Sequence, residues 1–143
     1  MKVLILNGPN LNLLGERDPS VYGGKSLDEI NKELLTEAKK LGLSADFFQS
    51  NWEGGVIDAI QGFNGDAIIL NAGAYSHYSA AIADALRDCK KIKIEVHLSN
   101  IFAREEFRRT SVISPVCDGI ISGFGADSYL LALKYLARKV KGY

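Results

Sequence analysis

Both histidines of the chain, His77 and His97, sit inside dense polar motifs, NAGAYSHYS and EVHLSN. Imidazole titrates near neutral pH and also ligates metals, so two of them confined to such motifs suggest a site, as joint acid and base or as two metal ligands. A third segment, LNGPNLNLLGERDPSVYGG from Leu6 to Gly24, crowds Asn7, Asn10, Asn12, Arg17, Asp18 and Tyr22 among glycine and proline. That composition suits neither a packed helix nor a strand and reads as a long, chemically loaded loop. If the three segments meet, they bring together a phenol, imidazoles, guanidinium groups and amides.

Each group has a chemical reading and a plainer one beside it. A phenol is protonated at neutral pH, and a guanidinium within about 4 to 6 Å favours its phenolate, so Arg17 could make Tyr22 a base. The plain alternative is a tyrosine packed on the Gly23-Gly24 turn. Glu95 precedes His97 by two residues on the same face of a strand. Its carboxylate would fix the tautomer of the ring and favour the protonated form that a general acid needs; alone, a histidine at a strand end is more often structural. Leu98, Ser99 and Asn100 offer backbone N-H groups where a strand stops, suited to a carboxylate or phosphate, or else to an Asx turn.

In FAREEFRR, Arg104 and Arg108 fall on one side of a helical turn, with Glu105 and Glu106 as partners. Arg108, ahead of Arg109, is the fork for a carboxylate or a hydroxyl pair, although such charge runs are mostly solvated faces. Asn71 is followed by Ala72, Gly73 and Ala74, small enough for a ligand to approach the backbone. His77 and Asp84 would face the same way if one helix ran through both, while a helix cap at Ser76 or Ser79 accounts for part of this segment without a ligand.

Short apolar runs must position these groups: Val3 to Leu6, Ala45 to Phe48, Ala67 to Leu70, Ile92 to Val96 and Gly119 to Ile121. Without strict polar alternation they suit strands buried on both faces of a parallel sheet. Between the first two, Leu27, Ile30, Leu34, Leu35, Ala38 and Leu41 repeat at helical spacing; Ser26 with Glu29 reads as a capping box, and Gly42 as the stop. Val56 to Phe63, Ser79 to Arg87 and Asp127 to Val140 are further helices, the last offering Leu130, Leu131, Leu133, Leu136 and Val140 for packing. The alternation βαβαβαβαβα predicts an α/β, flavodoxin-like doubly wound five-stranded parallel sheet of order 2-1-3-4-5, with helices on both faces. Ligands in that architecture bind beyond the carboxyl ends of the strands, where strands 1, 3 and 4 would deliver all three motifs to one rim.

The 143 residues, 47% apolar and 24% charged, fit a single domain. Seventeen acidic residues balance seventeen basic ones, so nothing steers the whole protein toward nucleic acid or an anionic membrane. The N-terminal apolar run is too short for a membrane span and lacks the parts of a signal peptide, which points to the cytoplasm. Cys89 and Cys117 lack CxxC spacing, and with two histidines and no HExxH no metal is expected; two buried thiols are the plain reading.

In order and spacing, LNGPNLNLLGERDPSVYG, NAGAYSHYS, and EVHLSNIFAREEFRR with SPV and GFGA after it, resemble type II 3-dehydroquinate dehydratases over essentially the whole chain. The resemblance implies a flavodoxin-like hydro-lyase that converts 3-dehydroquinate to 3-dehydroshikimate without a cofactor and assembles as a dodecamer of trimers. It makes Tyr22 the base, Arg17 the cation that steadies it, His97 the general acid and Asn10 a holder of the enolate through a water. Asn71, His77, Leu98 (by its main chain), Ser99 and Arg108 would bind the substrate. Asp84 would lie at a subunit boundary and act on the neighbouring site. Trp52, Ser76 and Tyr78 depart from the family pattern. A receiver domain would need a carboxylate cluster and a phosphorylatable aspartate where this chain has NGPN and NAGA, and a flavodoxin would need a Ser/Thr-rich phosphate loop. The lysine-based dehydratase of the unrelated type is a longer barrel.

Overall fold

A computed structural model describes residues 1–142. Its sheet has five parallel strands in the order β2-β1-β3-β4-β5, the flavodoxin-like arrangement. These are β1 (Lys2–Asn7), β2 (Ser44–Gln49), β3 (Ala67–Asn71), β4 (Ile92–His97) and β5 (Gly119–Ser122). Each runs one residue past the C-terminal end of its apolar run, so Asn7, Asn71 and His97 are the final strand residues rather than the first loop residues. Helices α2 (Leu27–Lys40) and α5 (Asp127–Val140) cover one face, and α3 (Glu53–Gly62) and α4 (Ala80–Asp88) the other.

Alternation along β1 divides the core. Val3 and Ile5 pack with Ile30, Leu34, Tyr129, Leu133 and Leu136, whereas Leu4 and Leu6 pack with Val56, Ile60, Ile82 and Leu86. Burial on both faces holds for β1 and β3 but not for the sheet edges. Along β2 exposed and half-buried residues alternate, and β5 has no fully buried residue, because an edge strand lacks a neighbour on one side.

Local signals account for both ends of α2 and the start of α4. Ser26 Oγ accepts the Glu29 N-H at 3.2 Å and starts α2. Past its end, Gly42 takes φ 74° while the N-H of Leu43 returns to the carbonyl of Ala38 at 2.8 Å, a Schellman closure that only a residue tolerant of the left-handed region permits. Ser79 Oγ likewise accepts from Ile82 at the start of α4. On α5 the buried face is Tyr129, Ala132, Leu133, Leu136 and Ala137; Leu131 and Val140, expected to pack, are exposed.

Three departures from the sequence expectation have physical causes. Helix α3 begins three residues before Val56, because Gly54 and Gly55 are helical here; a Cβ on Gly55 would lie 2.3 Å from Ser50 Oγ, so the glycine permits close approach rather than marking a loop. The segment from Leu6 to Gly24 is not uniformly loop, since it holds a 3-10 turn, Leu11–Leu13, and a single helical turn, α1 (Pro19–Tyr22). Finally, no α-helix lies between β4 and β5, where the chain makes three 3-10 turns, Ile101–Ala103, Glu106–Arg109 and Ser114–Val116. Ile101 and Ile113 are the only fully buried residues of these turns and their links, so there is no apolar stripe for a helix to bury. The thiols of Cys89 and Cys117 are free and half-buried rather than buried.

The ends of β1 and β3 approach so closely that Gly8 donates its N-H to the Asn71 carbonyl at 2.7 Å. A Cβ at Gly8 would meet the Ala72 carbonyl oxygen at 2.7 Å. Gly8→Ala should therefore destabilise the fold by about 1–3 kcal/mol, in the range of overpacking at rigid backbone. Urea unfolding of the variant checks this, and an unchanged midpoint would show that the contact relaxes freely.

Candidate active site

One cleft opens at the carboxyl ends of β1, β3 and β4 and receives all three polar segments. The first segment contributes Asn10, Arg17 and Tyr22, the second Asn71 and His77, and the third His97, Leu98, Ser99, Arg104 and Arg108.

Asn10 is held at the cleft by its backbone, which takes φ 69°, the one left-handed non-glycine residue described. Its N-H donates to Asn51 Oδ1 at 3.0 Å, tying the loop after β1 to the turn after β2. Asp18 caps α1 by accepting from Ser20, and that one turn brings Tyr22 back toward Arg17. The Arg17 guanidinium carbon lies 3.7 Å from the Tyr22 ring centroid, and Nη2 donates to the phenol oxygen at 2.7 Å. Arg104 approaches the same ring from across the cleft, its guanidinium carbon 5.3 Å from the centroid. Two cations thus face one phenol ring, and Arg17 also bonds its oxygen.

On the far side, His97 is almost completely buried and its Nε2 meets Glu95 Oε2 at 2.5 Å. A carboxylate accepts, so Nε2 carries the proton and Nδ1 is the nitrogen left to exchange one with a ligand. Glu95 has no exposure at all, and a buried carboxylate needs partners. Ser111 Oγ donates to both of its oxygens, at 3.0 and 2.9 Å, and Ser114 Oγ donates to Oε1. The SPV motif thus anchors the Glu95–His97 pair. GFGA supports the turn after β4, where the Gly125 N-H donates to the Leu98 carbonyl at 2.9 Å.

His77 stacks against His97 at 6.1 Å between centroids. Its Nδ1 lies 2.8 Å from the Thr110 carbonyl, so that nitrogen is the donor. Burial, and less strongly the neighbouring His97 and Arg108, pull the His77 pKa below its ordinary value. The neutral ring then offers a bare Nε2.

Arg108 donates to Glu105 and lies over the Phe107 ring, and Ser99 Oγ accepts from Arg104 Nη1 at 3.4 Å. Asn100 fits the plainer of its readings, an Asx turn in which Oδ1 accepts the Phe102 N-H at 3.1 Å. Asp84 stands apart: it is exposed on α4, paired with Arg87 at 2.7 Å, and does not line this cleft. His77 ends a 3-10 turn, Gly73–His77, before α4 starts, so no continuous helix aligns it with Asp84. Trp52 and Tyr78 are exposed and Ser76 is buried; none of the three lines the cleft.

Two contributors carry little sequence signal. Arg104 read as part of a solvated charge run, and only the fold brings it to Tyr22. Tyr129, on the leucine-rich face of α5, hydrogen-bonds Asn7 and Asn71 beneath the cleft; its one hint was a polar-tipped ring on a buried stripe. Among the described residues no group of three His, Cys, Asp or Glu side chains is placed to hold a metal ion, and no helix is long and apolar enough to cross a membrane.

Known proteins resemble this chain over almost its whole length. The 3-dehydroquinate dehydratase of Thermotoga maritima is 50% identical over 141 residues, 99% of this chain and 98% of that protein. That of Prochlorococcus marinus is 52% identical over 143 residues, covering 99% of each. Among solved structures, the type II dehydroquinase of Butyrivibrio crossotus superposes with a TM-score of 0.93 at 46% identity, over 95% of this chain and 97% of that one. A 3-dehydroquinate dehydratase-like protein of Bifidobacterium longum reaches 0.70 at 29% identity, over 99% and 98%. Residues 1–137 match the family model described as dehydroquinase class II, and the chain belongs to that family.

Proposed function

We propose that this chain is a hydro-lyase of the shikimate pathway, a single catalytic domain that dehydrates 3-dehydroquinate to 3-dehydroshikimate. Family membership supports the activity. The observation that carries the chemistry is the pairing of Arg17 with Tyr22 on one side of the cleft and Glu95 with His97 on the other. Elimination beta to a ketone needs a base at the acidic carbon, a means of holding the enolate, and an acid for the departing hydroxyl.

Tyr22, as the phenolate that Arg17 steadies, takes the proton alpha to the ketone. The electron pair moves onto the ketone oxygen, and Asn10 helps hold that enolate through a water. Collapse of the enolate expels the hydroxyl as water, with the proton supplied by His97, whose charged ring Glu95 balances. Tyr22 then releases its proton to solvent and His97 takes one back, which resets both groups. No step requires a metal or an imine. Asn71, His77, Arg108, Ser99 and the main chain of Leu98 grip the substrate's carboxylate and hydroxyls. Arg104, which sequence reasoning left without a role, is a second cation for Tyr22. Asp84 completes the site of a neighbouring subunit, consistent with its exposure away from the cleft. We further infer a homo-oligomer, a dodecamer built from trimers, in keeping with exposed Phe48, Trp52, Phe102 and Phe124.

Adding 3-dehydroquinate should produce the ultraviolet band of a conjugated enone, and no band at high protein concentration would sink the activity. Removing the acceptor in Tyr22→Phe or the donor in His97→Asn should lower kcat by about 10²- to 10⁴-fold, the usual contribution of general acid-base groups. Substrate binding to the Tyr22→Phe variant should survive, because only the proton acceptor is lost; near wild-type turnover would remove Tyr22 from the base role.

Light scattering should return a mass near twelve times the 15.6 kDa of the chain. A monomer would remove Asp84 from catalysis.

The lowered pKa of His77 predicts a pH effect of definite sign. Below the ordinary value of 6.5 the unfolded chain binds a proton that the folded ring resists, so stability is full above that pH and falls as pH drops through the window beneath it. Chemical unfolding of the protein and of His77→Asn across that window checks this; the variant should show the shallower dependence.

A further inference from the structure

Tyr129 is fully buried on the inner face of α5, beneath the cleft but not lining it. Its hydroxyl donates to Asn7 Oδ1 at 2.5 Å and accepts from Asn71 Nδ2 at 3.0 Å. The direction of this chain is dictated by a backbone group. The Gly73 N-H can only donate, and it meets Asn71 Oδ1 at 3.1 Å. Oxygen therefore occupies that side of the Asn71 amide and nitrogen the side toward Tyr129. Having accepted an N-H, the hydroxyl gives its own proton to Asn7. Burial pushes the phenol's pKa upward, outweighing the opposing bond from Asn71, so that proton stays in place through the ordinary pH range.

We infer that Tyr129 is a positioning residue that locks the Asn71 amide in one orientation, so that Asn71 offers the ligand a hydrogen-bond donor, toward a carboxylate or hydroxyl oxygen. An amide nitrogen carries two hydrogens. Tyr129 takes one, and the other remains on a side chain that lines the cleft. Gly73 holds the oxygen and Tyr129 the nitrogen, and it takes both to keep the amide from turning over to present its carbonyl in place of the N-H. The partners are far apart in sequence, and the in-register pairing of Asn7 with Asn71 brings both amides within reach of one hydroxyl. Removing that hydroxyl leaves two buried amides each short of a partner and frees Asn71 to rotate.

The inference rests on Asn71 being a substrate contact, and the experiment separates the two claims. Steady-state kinetics with 3-dehydroquinate are measured on the intact protein and on Tyr129→Phe, Asn71→Ala and the double variant, with thermal melting of each. Tyr129→Phe should raise KM about tenfold while kcat falls by less than about threefold, the pattern of lost binding rather than lost chemistry. In the Asn71→Ala background the same change should alter KM by less than about twofold, because the residue through which it acts is gone. Leu133→Ala, a core truncation on the same helix, should lower Tm yet leave KM within about twofold, separating a looser helix from a misplaced amide. A raised KM in Asn71→Ala beside a wild-type KM in Tyr129→Phe overturns the role of Tyr129 and leaves the contact intact; a wild-type KM in Asn71→Ala overturns both. Should Tyr129→Phe fail to fold, Asn71→Asp carries the test, having the same shape but an acceptor in place of the N-H. Its KM should exceed that of Asn71→Ala, and a KM equal or lower overturns the donor assignment.

Discussion

The last rung of the β1–β3 pair sets Asn7 opposite Asn71, and every reactive group is placed relative to it. Parallel strands all end on the same rim, so polar segments distant in sequence meet by topology rather than by attraction for one another. The cleft at that rim takes Tyr22 from the segment after β1 and His97 from the end of β4.

The two sides of the cleft are built differently. The Glu95–His97 pair is carried on a strand and desolvated, so its cost is offset only by complete hydrogen bonding. Ser111 and Ser114 supply that from the end of the chain between β4 and β5, which makes tight turns instead of a helix. The Arg17–Tyr22 pair is local, closed by one helical turn, and needs from the rest of the fold chiefly Arg104 as a second cation. One pair is buried with its hydrogen bonds complete; the other is a phenol ring on which two cations converge.

Local signals made much of this legible. The Ser26 cap, the Gly42 stop and the buried runs of β1 and β3 are short-range effects, and they brought out the helices and the strand order. Glu95 and His97 were readable as partners because a strand places alternate residues on one face. The span after β4 was misjudged because charges at helical spacing mimic a helix face whether or not an apolar stripe backs them. The start of α3 was missed because glycine's usual meaning in a helix, a cost in entropy, was overridden by the need to pass close to Ser50.

By itself, the sequence determined the chemistry on offer: one phenol with an arginine five residues away, one histidine with a carboxylate two residues away, and strands to carry them. Residue types and spacings of a few positions are short-range facts, and short-range facts survive without a fold. Tertiary structure alone decided that Arg104 faces Tyr22, that Ser111 and Ser114 satisfy Glu95, and that a tyrosine 58 and 122 residues distant orders the amides of Asn71 and Asn7. Those contacts depend on strand register and helix packing, which the chain acquires only when its separate apolar faces are buried together.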